Sequence, residues 1–224
     1  MSAARVLREP DPESAARTSA ALLAGAVNEA LSTRGAAHLA LSGGSTPRRC
    51  YQLLGPLVGD WRAAQVWFCD ERCVPPDDPQ SNFRLAREEL TAPGATWHRM
   101  QGQLGPDAGA AAYERELADV VLDAALLGIG DDGHTASLFP RHVELDAPGR
   151  VVGVTGAPKP PPGRISLTLP ALGGARALVL LVSGHEKAPA LAAALGEPSR
   201  DVPASLLARD HLTVVATTDA LPAS

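Results

Sequence analysis

The sequence predicts an α/β fold in which helices cover both faces of a mostly parallel sheet, giving three layers. Short apolar runs alternate with segments of helical spacing along all 224 residues. Hydrophobic residues reach 45% while aromatic residues supply only 4%, so we expect a core in which helices pack closely on the sheet. Predicted strands flank the Pro-rich stretch at 157–163 directly, so it is interpreted as a rigid loop, and residues 1–224 are expected to form one domain.

The first predicted element is a long helix. Asp11 can cap it, with Pro12 in the first helical position, and apolar residues then recur at helical spacing. Arg34 and Gly35 supply the cation and the glycine that commonly end a helix. The apolar run at 37–41 follows directly and predicts a buried strand.

The remaining elements continue the alternation of strand and helix. Further strands are predicted at 65–69, 124–129, 151–155, 164–167, 177–182 and 212–217. Further helices are predicted from Pro47 onward, at 81–90, around 113–121 and at about 186–195. Because each strand is separated from the next by a helix or a long connection, the strands are expected to run mostly parallel.

Composition and charge exclude several classes of function. The 20 Lys and Arg residues against 25 Asp and Glu give a net charge of −5, and no basic stripe offsets it, which argues against nucleic acid as a partner. No apolar run is long enough to span a membrane. The stretch at 19–27 is similar to a signal-peptide core, but Glu9, Asp11 and Glu13 precede it, so we expect a mature cytoplasmic protein. A small anionic substrate remains compatible with this composition.

The cysteines give no sign of a disulfide or metal site, and Cys69 and Cys73, which flank a charged triplet, are predicted to be packing residues. Cys50, Cys69 and Cys73 are odd in number and contain no CxxC pair. Neither a disulfide framework nor a zinc site is therefore indicated. A redox or nucleophilic cysteine is the less favoured interpretation.

A loop rich in glycine and hydroxyl side chains follows the strand at 37–41. In sheets of this kind, ligands bind outside the carboxyl ends of the strands. The loop consists of Ser42, Gly43, Gly44, Ser45 and Thr46, followed by Pro47. Thr46 and Pro47 begin a helix whose free N–H groups, together with the hydroxyls, would form a cradle for a phosphate. The Walker lysine is missing, which disfavours a nucleoside triphosphate, and an ordinary capped turn explains the loop equally well.

The charged triplet Asp70-Glu71-Arg72 follows the second of these strands, at 65–69. This position would place ionised groups at the rim of the sheet. Arg72 could hold a carboxylate or phosphate there, and Asp70 could orient a partner or act as a base. For the triplet taken alone, a solvated loop is the favoured interpretation.

A third loop, GIGDDGHTASLFP at 128–140, begins in the next strand. It matches the GxGxxG pattern of dinucleotide sites, but Asp131 and Asp132 would repel a pyrophosphate, and Pro140 leaves little room for the long helix of such a site. What remains is His134 beside Asp132 on a loop shaped by glycine, where an imidazole could take a proton from water. A lone histidine is more often structural.

Three cations complete the set of candidates. Lys159 and Arg164 flank the Pro-rich loop, and Lys187 follows Ser183-Gly184. Lys187 would lie at the start of a helix, where a cation is unfavourable for the helix dipole unless an anion is bound nearby. A solvated lysine explains the same position about equally well.

Taken together, these segments resemble the glucosamine-6-phosphate isomerase/6-phosphogluconolactonase family, and within it the lactonase branch. The resemblance covers nearly the whole chain and rests on LALSGGSTP, WFCDERCVP, QSNFRLA, GIGDDGHTASLFP, PKPPPGRISLTLP and SGHEKAPAL. The segment with GDDGH is the most specific. The family usually has a non-acidic residue where this chain has Asp131.

The resemblance implies a modified Rossmann-like fold and cytoplasmic hydrolysis of 6-phosphoglucono-δ-lactone, in the oxidative pentose phosphate pathway. It implies that His134 is the general base, with Arg72 and Asp70 stabilising or orienting the reacting end. It implies that the substrate and its phosphate are bound by Ser42, Gly43, Gly44, Ser45, Thr46, Asp132, Arg164 and Lys187, with Lys159 close by. It implies no metal, no cofactor and no partner beyond the phosphorylated lactone, in a monomer or small homo-oligomer.

Two alternatives differ from this expectation. The isomerase/deaminase branch typically continues after the histidine with an Asn-Glu-Pro type segment that supplies a catalytic carboxylate, whereas residues 137–140 here are SLFP. A non-catalytic phosphosugar sensor would be expected to lose His134 or Arg72, and both are present. No GxSxG elbow supports a serine hydrolase.

Overall fold

The computed structural model describes residues 4–221 as two sheets with flanking helices. The strands are β1 (Arg5–Glu9), β2 (Ala37–Leu41), β3 (Ala64–Phe68), β4 (Asp70–Arg72), β5 (Thr96–Trp97), β6 (Ala124–Leu127), β7 (Val151–Val154), β8 (Arg164–Leu167), β9 (Leu178–Val182) and β10 (Leu212–Thr217). The helices are α1 (Pro12–Arg34), α2 (Pro47–Leu54), α3 (Asn82–Glu89), α4 (Pro106–Leu117), α5 (Leu169–Gly173) and α6 (Ala188–Leu195). Nowhere in this described part is a helix both long and apolar enough to cross a membrane.

The main sheet of the described residues has seven strands in the order β1-β10-β9-β6-β2-β3-β5, and all its pairs are parallel. The predicted fold class is therefore confirmed. From β2 the chain runs through β3 to β5 on one side, then returns to place β6, β9 and β10 on the other side. The strand order thus reverses between β2 and β6, and a crevice is expected at the carboxyl ends of these two strands.

A second, three-stranded sheet of order β4-β8-β7 is antiparallel, and the sequence did not predict it. The strands predicted at 151–155 and 164–167 exist, but they pair with each other and not with the parallel sheet. The charged triplet forms β4, one residue after β3, and pairs with β8. The triplet therefore lies on a strand and not on a solvated loop. The strand forms because its backbone pairs with β8, about ninety residues later in the chain.

The first helix is built as its sequence predicts. The side chain of Asp11 accepts a hydrogen bond from the backbone N–H of Ser14 at 2.7 Å, and Gly35 ends the helix with a φ of 75°. Arg34 in the last turn contacts Asp123 at 2.7 Å. Small buried side chains on one face of the helix let it lie close to the sheet, as the aromatic-poor composition indicates.

Other boundaries differ from the prediction. β1 was not predicted, since its charged residues leave it largely exposed at the edge of the sheet. The helix expected around 113–121 begins at Pro106 and ends at Leu117, and α6 begins directly after Lys187. Cys69 lies in the core, and Cys73 is partly buried and packs against it, as expected of packing residues. Cys50 also lies in the core, where burial raises the pKa of its thiol to about 12.

Candidate active site

A polar cleft of about 450 Å³ opens at the carboxyl ends of β2, β6 and β9, at the point where the strand order reverses. The predicted site residues in its walls are Ser42, Gly43, Gly44, Ser45, Thr46, Asp70, Arg72, His134, Arg164 and Lys187. Two predicted residues do not line it. Asp132 holds the ring of His134, and Lys159 lies near Asp131.

The loop after β6 folds around the ring of His134. The backbone N–H of Gly130 donates to the carbonyl of His134 at 2.8 Å, and Gly133 turns the chain with a φ of +81°. A Cβ on Gly130 would lie 2.0 Å from Nδ1 of His134, so only glycine leaves space for the imidazole. The glycines of the GxGxxG pattern therefore shape a histidine site, which is the interpretation that the sequence favoured.

His134 is paired with a carboxylate. Its Nδ1 contacts Oδ1 of Asp132, and the ring of Phe139 packs against the imidazole with centroids 4.8 Å apart. Burial lowers the pKa of His134 below its ordinary value, and the opposing effect of Asp132 does not restore it. Burial alone would raise the pKa of Asp132, but His134 outweighs it and the pKa lies below its usual value. The pair is therefore a neutral imidazole held by an ionised carboxylate at neutral pH.

Glu71, the middle residue of β4, is a structural carboxylate. It is 3% exposed and accepts hydrogen bonds from the backbone N–H groups of Asn82 (2.7 Å), Phe83 (2.8 Å) and Arg72 (2.8 Å) and from the hydroxyl of Ser81 (2.9 Å). Burial raises its pKa, against the effect of these donors. It thereby anchors the start of α3 to β4.

Asp70 points to the other side of β4 and lines the cleft. It is 5% exposed, and its two carboxylate oxygens accept from the hydroxyl of Ser137 at 2.7 Å and from Nδ2 of Asn82 at 3.0 Å. These donors fix the carboxylate, and its charge is among the groups that act on His134. Asp70 is thus a rigid negative charge beside the histidine.

Arg72 and Arg164 face each other across the β4–β8 pair. Arg164 donates through Nε to the carbonyl of Pro161 at 2.8 Å and through Nη2 to that of Lys159 at 3.0 Å, and burial lowers its pKa. Arg72 donates through Nη1 to the carbonyl of Gln80 at 2.6 Å, while its Nε is buried without a partner. Like charges placed opposite each other are destabilising, and an unpaired buried donor is costly, so both features point to an anionic or carbonyl ligand.

The loop after β2 is anchored to the core by Tyr51 and lines the cleft on its other side. The hydroxyl of Tyr51 accepts from the backbone N–H of Ser42 at 3.0 Å and donates to its carbonyl at 2.5 Å. Gly44 has a φ of +101°, and Thr46 makes no side-chain cap at the start of α2. The hydroxyl of Ser42 is buried and lies beside the core thiol of Cys69, whose pKa it lowers against the larger effect of burial. The loop itself lines the cleft, and the start of α2 there has no side-chain cap.

Lys187 and Lys159 meet the carboxylate of Asp131. The ammonium of Lys187 contacts Oδ1 of Asp131, and that of Lys159 lies 3.9 Å from Oδ2. Lys187 ends a short 3₁₀ turn and directly precedes α6. From the sequence, a bound anion is expected near this helix start. In the structure, the carboxylate of Asp131 supplies that negative charge.

Several residues of the site were missed by sequence reasoning. Asn82, Ser137 and Tyr51 hold Asp70 and Ser42 by hydrogen bonds, yet none was singled out. Asn82 lies within QSNFRLA, a segment that carried the family resemblance, but no role was assigned to this residue. Within residues 4–221, no three His, Cys, Asp or Glu side chains cluster as a metal site would require.

The fold and the cleft define an α/β protein whose candidate ligand site, at the switch point of a parallel sheet, contains a histidine, three cations and three carboxylates. A family model described as glucosamine-6-phosphate isomerases/6-phosphogluconolactonase matches residues 10–216. The chain therefore belongs to this family, as the resemblance indicated.

Relatives within the family carry the lactonase name. A curated 6-phosphogluconolactonase from Streptomyces coelicolor is 40% identical over 83% of this chain and 80% of its own length. One from Treponema pallidum is 36% identical over 84% of both chains. The crystal structure of a 6-phosphogluconolactonase from Shewanella baltica superposes with a TM-score of 0.87 at 30% identity, covering 96% of this chain and 98% of that one.

Proposed function

We propose that the protein hydrolyses 6-phosphoglucono-δ-lactone to 6-phosphogluconate, with His134 as the base that activates water. The observation that carries the proposal is that His134, held from behind by Asp132, lies in the wall of a cleft that also contains Arg72, Arg164 and Lys187. The relatives named 6-phosphogluconolactonase support the choice of reaction. On this proposal the reaction is cytoplasmic and requires no cofactor.

His134 is suited to take a proton from water. Asp132 contacts Nδ1 and thereby fixes the ring proton on that nitrogen, which leaves the lone pair of Nε2 available. The lowered pKa keeps the imidazole neutral at pH 7, as a general base must be. A base placed in this way contributes about 10²- to 10⁴-fold to the rate.

The reaction needs no covalent intermediate, because a δ-lactone is already an activated ester. Water adds to the carbonyl carbon while Nε2 of His134 takes its proton. The tetrahedral intermediate then breaks the ring C–O bond, and His134 returns the proton to the departing ring oxygen. The product is the open-chain acid, and the histidine is regenerated in its neutral form.

Arg72 is the proposed partner of the developing oxyanion. Its buried Nε–H has no acceptor within the described residues, so a carbonyl oxygen in the cleft would satisfy it. Such a preorganised donor stabilises the negative charge of the tetrahedral intermediate more than the neutral lactone. Asp70, fixed by Ser137 and Asn82, offsets the charges of the two arginines and keeps the reacting end oriented.

The phosphate is proposed to bind at the other end of the cleft, between the loop 42–46 and Lys187. The uncapped start of α2 presents backbone N–H groups there, with the hydroxyls of Ser45 and Thr46 as further donors. Lys187 supplies a positive charge, with Lys159 nearby. Binding remote from the carbonyl holds the lactone in position for attack.

The deaminase reaction of the same family is disfavoured by the segment after His134. Isomerisation of an amino sugar moves protons between two carbons and needs a further carboxylate. At the corresponding place this chain has Ser137, which binds Asp70, followed by the buried Leu138 and Phe139. No acidic side chain stands in this segment to move the second proton.

The proposal is tested by generating the lactone in place with glucose-6-phosphate dehydrogenase and following acid release. We expect the purified protein to accelerate release well beyond the spontaneous rate, and to yield no ammonia from glucosamine 6-phosphate. Lactone decay at the spontaneous rate, with ammonia released from the amino sugar, would overturn the proposal in favour of the deaminase branch.

A further inference from the structure

Asp131 occupies an unusual place for an acidic residue. Its side chain is 65% exposed, lines the cleft, and contacts the ammonium of Lys187 while lying 3.9 Å from that of Lys159. These are the cations on which the proposed function relies for the phosphate. Hydrogen bonding and the charge of Lys187 lower the pKa of Asp131, so the carboxylate is ionised at neutral pH.

The position of Lys187 explains why an anion is needed here. The residue directly precedes α6, where the helix dipole disfavours a cation. Its side chain is only 22% exposed, so water shields the ammonium incompletely. A negative charge at this point is therefore stabilising, and the carboxylate of Asp131 supplies it in the absence of a ligand.

We propose that Asp131 is an internal competitor for the substrate phosphate: its carboxylate holds Lys187 and Lys159 in the free protein and is displaced when the phosphate binds. The inference rests on the proposed function. Displacement is feasible because Asp131 is mostly exposed and can turn into solvent. Asp131 thereby lowers the affinity of the cleft for phosphorylated substrate and product alike, and it favours product release.

The charges decide the direction of the exchange. The carboxylate of Asp131 is 65% exposed, so water and salt screen its side of the ion pair and weaken it. A phosphate ester carries about −1.5 to −2 charges at pH 7 and three acceptor oxygens, against −1 for the carboxylate. The phosphate therefore replaces Asp131 at the ammonium groups, but it binds less tightly than it would if no carboxylate stood there.

A structural role for Asp131 would give the opposite result, which makes the inference testable. If the carboxylate served to orient Lys187 toward the phosphate, its removal would weaken binding. If it competes with the phosphate, its removal strengthens binding. The sign of the change in KM separates the two roles.

The test compares Asp131→Asn with the wild type. We expect KM for 6-phosphoglucono-δ-lactone, the inhibition constant of 6-phosphogluconate and the Kd of inorganic phosphate measured by calorimetry to fall together by about three- to tenfold. The ratio of kcat/KM for the phosphorylated lactone to that for unphosphorylated glucono-δ-lactone is expected to rise. In the background of Lys187→Met, Asp131→Asn should lose most of this effect, because the contested cation is gone.

The matched control is Asp60→Asn, which removes the same charge from an exposed aspartate paired with Arg62 before the start of β3, at the opposite end of the sheet. It is expected to leave all these constants unchanged. A KM and phosphate Kd that rise or stay constant in Asp131→Asn would overturn the inference. Absence of lactone turnover in the wild type would instead overturn the proposed function, while the phosphate titration would still decide the role of Asp131.

Discussion

Two glycine-rich loops follow neighbouring parallel strands, and their glycines have different structural roles. One follows β2 at 42–46, and the other follows β6 at 128–134. In the second loop, the space at Gly130 is filled by the ring of His134. In the first, Gly43 likewise makes room for the side chain of Asn82, whereas Gly44 turns the chain with a φ of +101° and faces open space, its nearest neighbour being a proline carbon 4.0 Å from where a Cβ would lie.

The comparison shows that a glycine after a buried strand indicates a candidate site but does not indicate what chemistry the site performs. Gly130 makes room for the imidazole of His134, and the result is a fixed, largely buried side chain that is the candidate base. Gly44 leaves open space before the start of a helix, and the result is a candidate place for a ligand. The residue that fills or leaves the space decides between these outcomes.

The largest expected effect concerns His134. We expect His134→Gln to lower kcat for the phosphorylated lactone by about 10²- to 10⁴-fold, because glutamine retains much of the shape but cannot take a proton from water. The affinity for 6-phosphogluconate should change little, since the phosphate end of the cleft is intact. Steady-state kinetics and calorimetric binding of the product give the two quantities.

His211→Gln is the matched control, because His211 is exposed and lies outside the cleft. It should retain wild-type kcat and KM. If His134→Gln kept the wild-type kcat, the assignment of His134 as the base would be wrong.

A smaller effect is expected from adding one methyl group to each loop. Gly130→Ala should lower kcat by about ten- to a hundredfold. The new Cβ would lie 2.0 Å from the present position of Nδ1 of His134, so the imidazole must move and the base is displaced. Gly44→Ala disturbs the loop after β2 through its positive φ and should act mainly on KM. Kinetics of the two variants, measured side by side, test the contrast between the loops.

Gly25→Ala is the control for the substitution itself. Gly25 lies exposed within α1, and a Cβ there meets nothing within 4 Å. We expect unchanged kinetics and a gain of about 0.5–1 kcal/mol in the free energy of unfolding, measured with denaturant. Equal losses of kcat in Gly130→Ala and Gly44→Ala would break the proposed contrast.

The parts of the fold that local sequence encodes were predicted well. The cap of Asp11 and the left-handed Gly35 of α1 are set by residues next to each other in the chain, and the structure has both. The antiparallel pairing of β4 with β8 was missed, because it joins segments about ninety residues apart and a charged triplet has no strand periodicity. β1 was missed because an exposed edge strand carries little hydrophobic signal.

The same limit applies to the candidate site. His134 and Arg72 could be singled out because each follows a strand in a distinctive local pattern. The donors that hold Asp70 come from Asn82, 12 residues away, and from Ser137, 67 residues away; both stand in segments that carried the family resemblance, but nothing local assigns them to Asp70. The contact between Asp131 and Lys187 spans 56 residues and is likewise visible only in three dimensions.

The account's most direct test is the pH dependence of kcat/KM, measured with glucono-δ-lactone so that no substrate phosphate titrates, beside an NMR titration of His134. A neutral base predicts that activity falls as pH drops through the pKa of His134, with a common midpoint that burial places below the ordinary pKa of a histidine. Because the Asp132 carboxylate raises that pKa, Asp132→Asn should move both midpoints to lower pH. The account would be contradicted if kcat/KM did not change with pH across the titration of His134. It would also be contradicted if His134 were still protonated at a pH where kcat/KM is maximal.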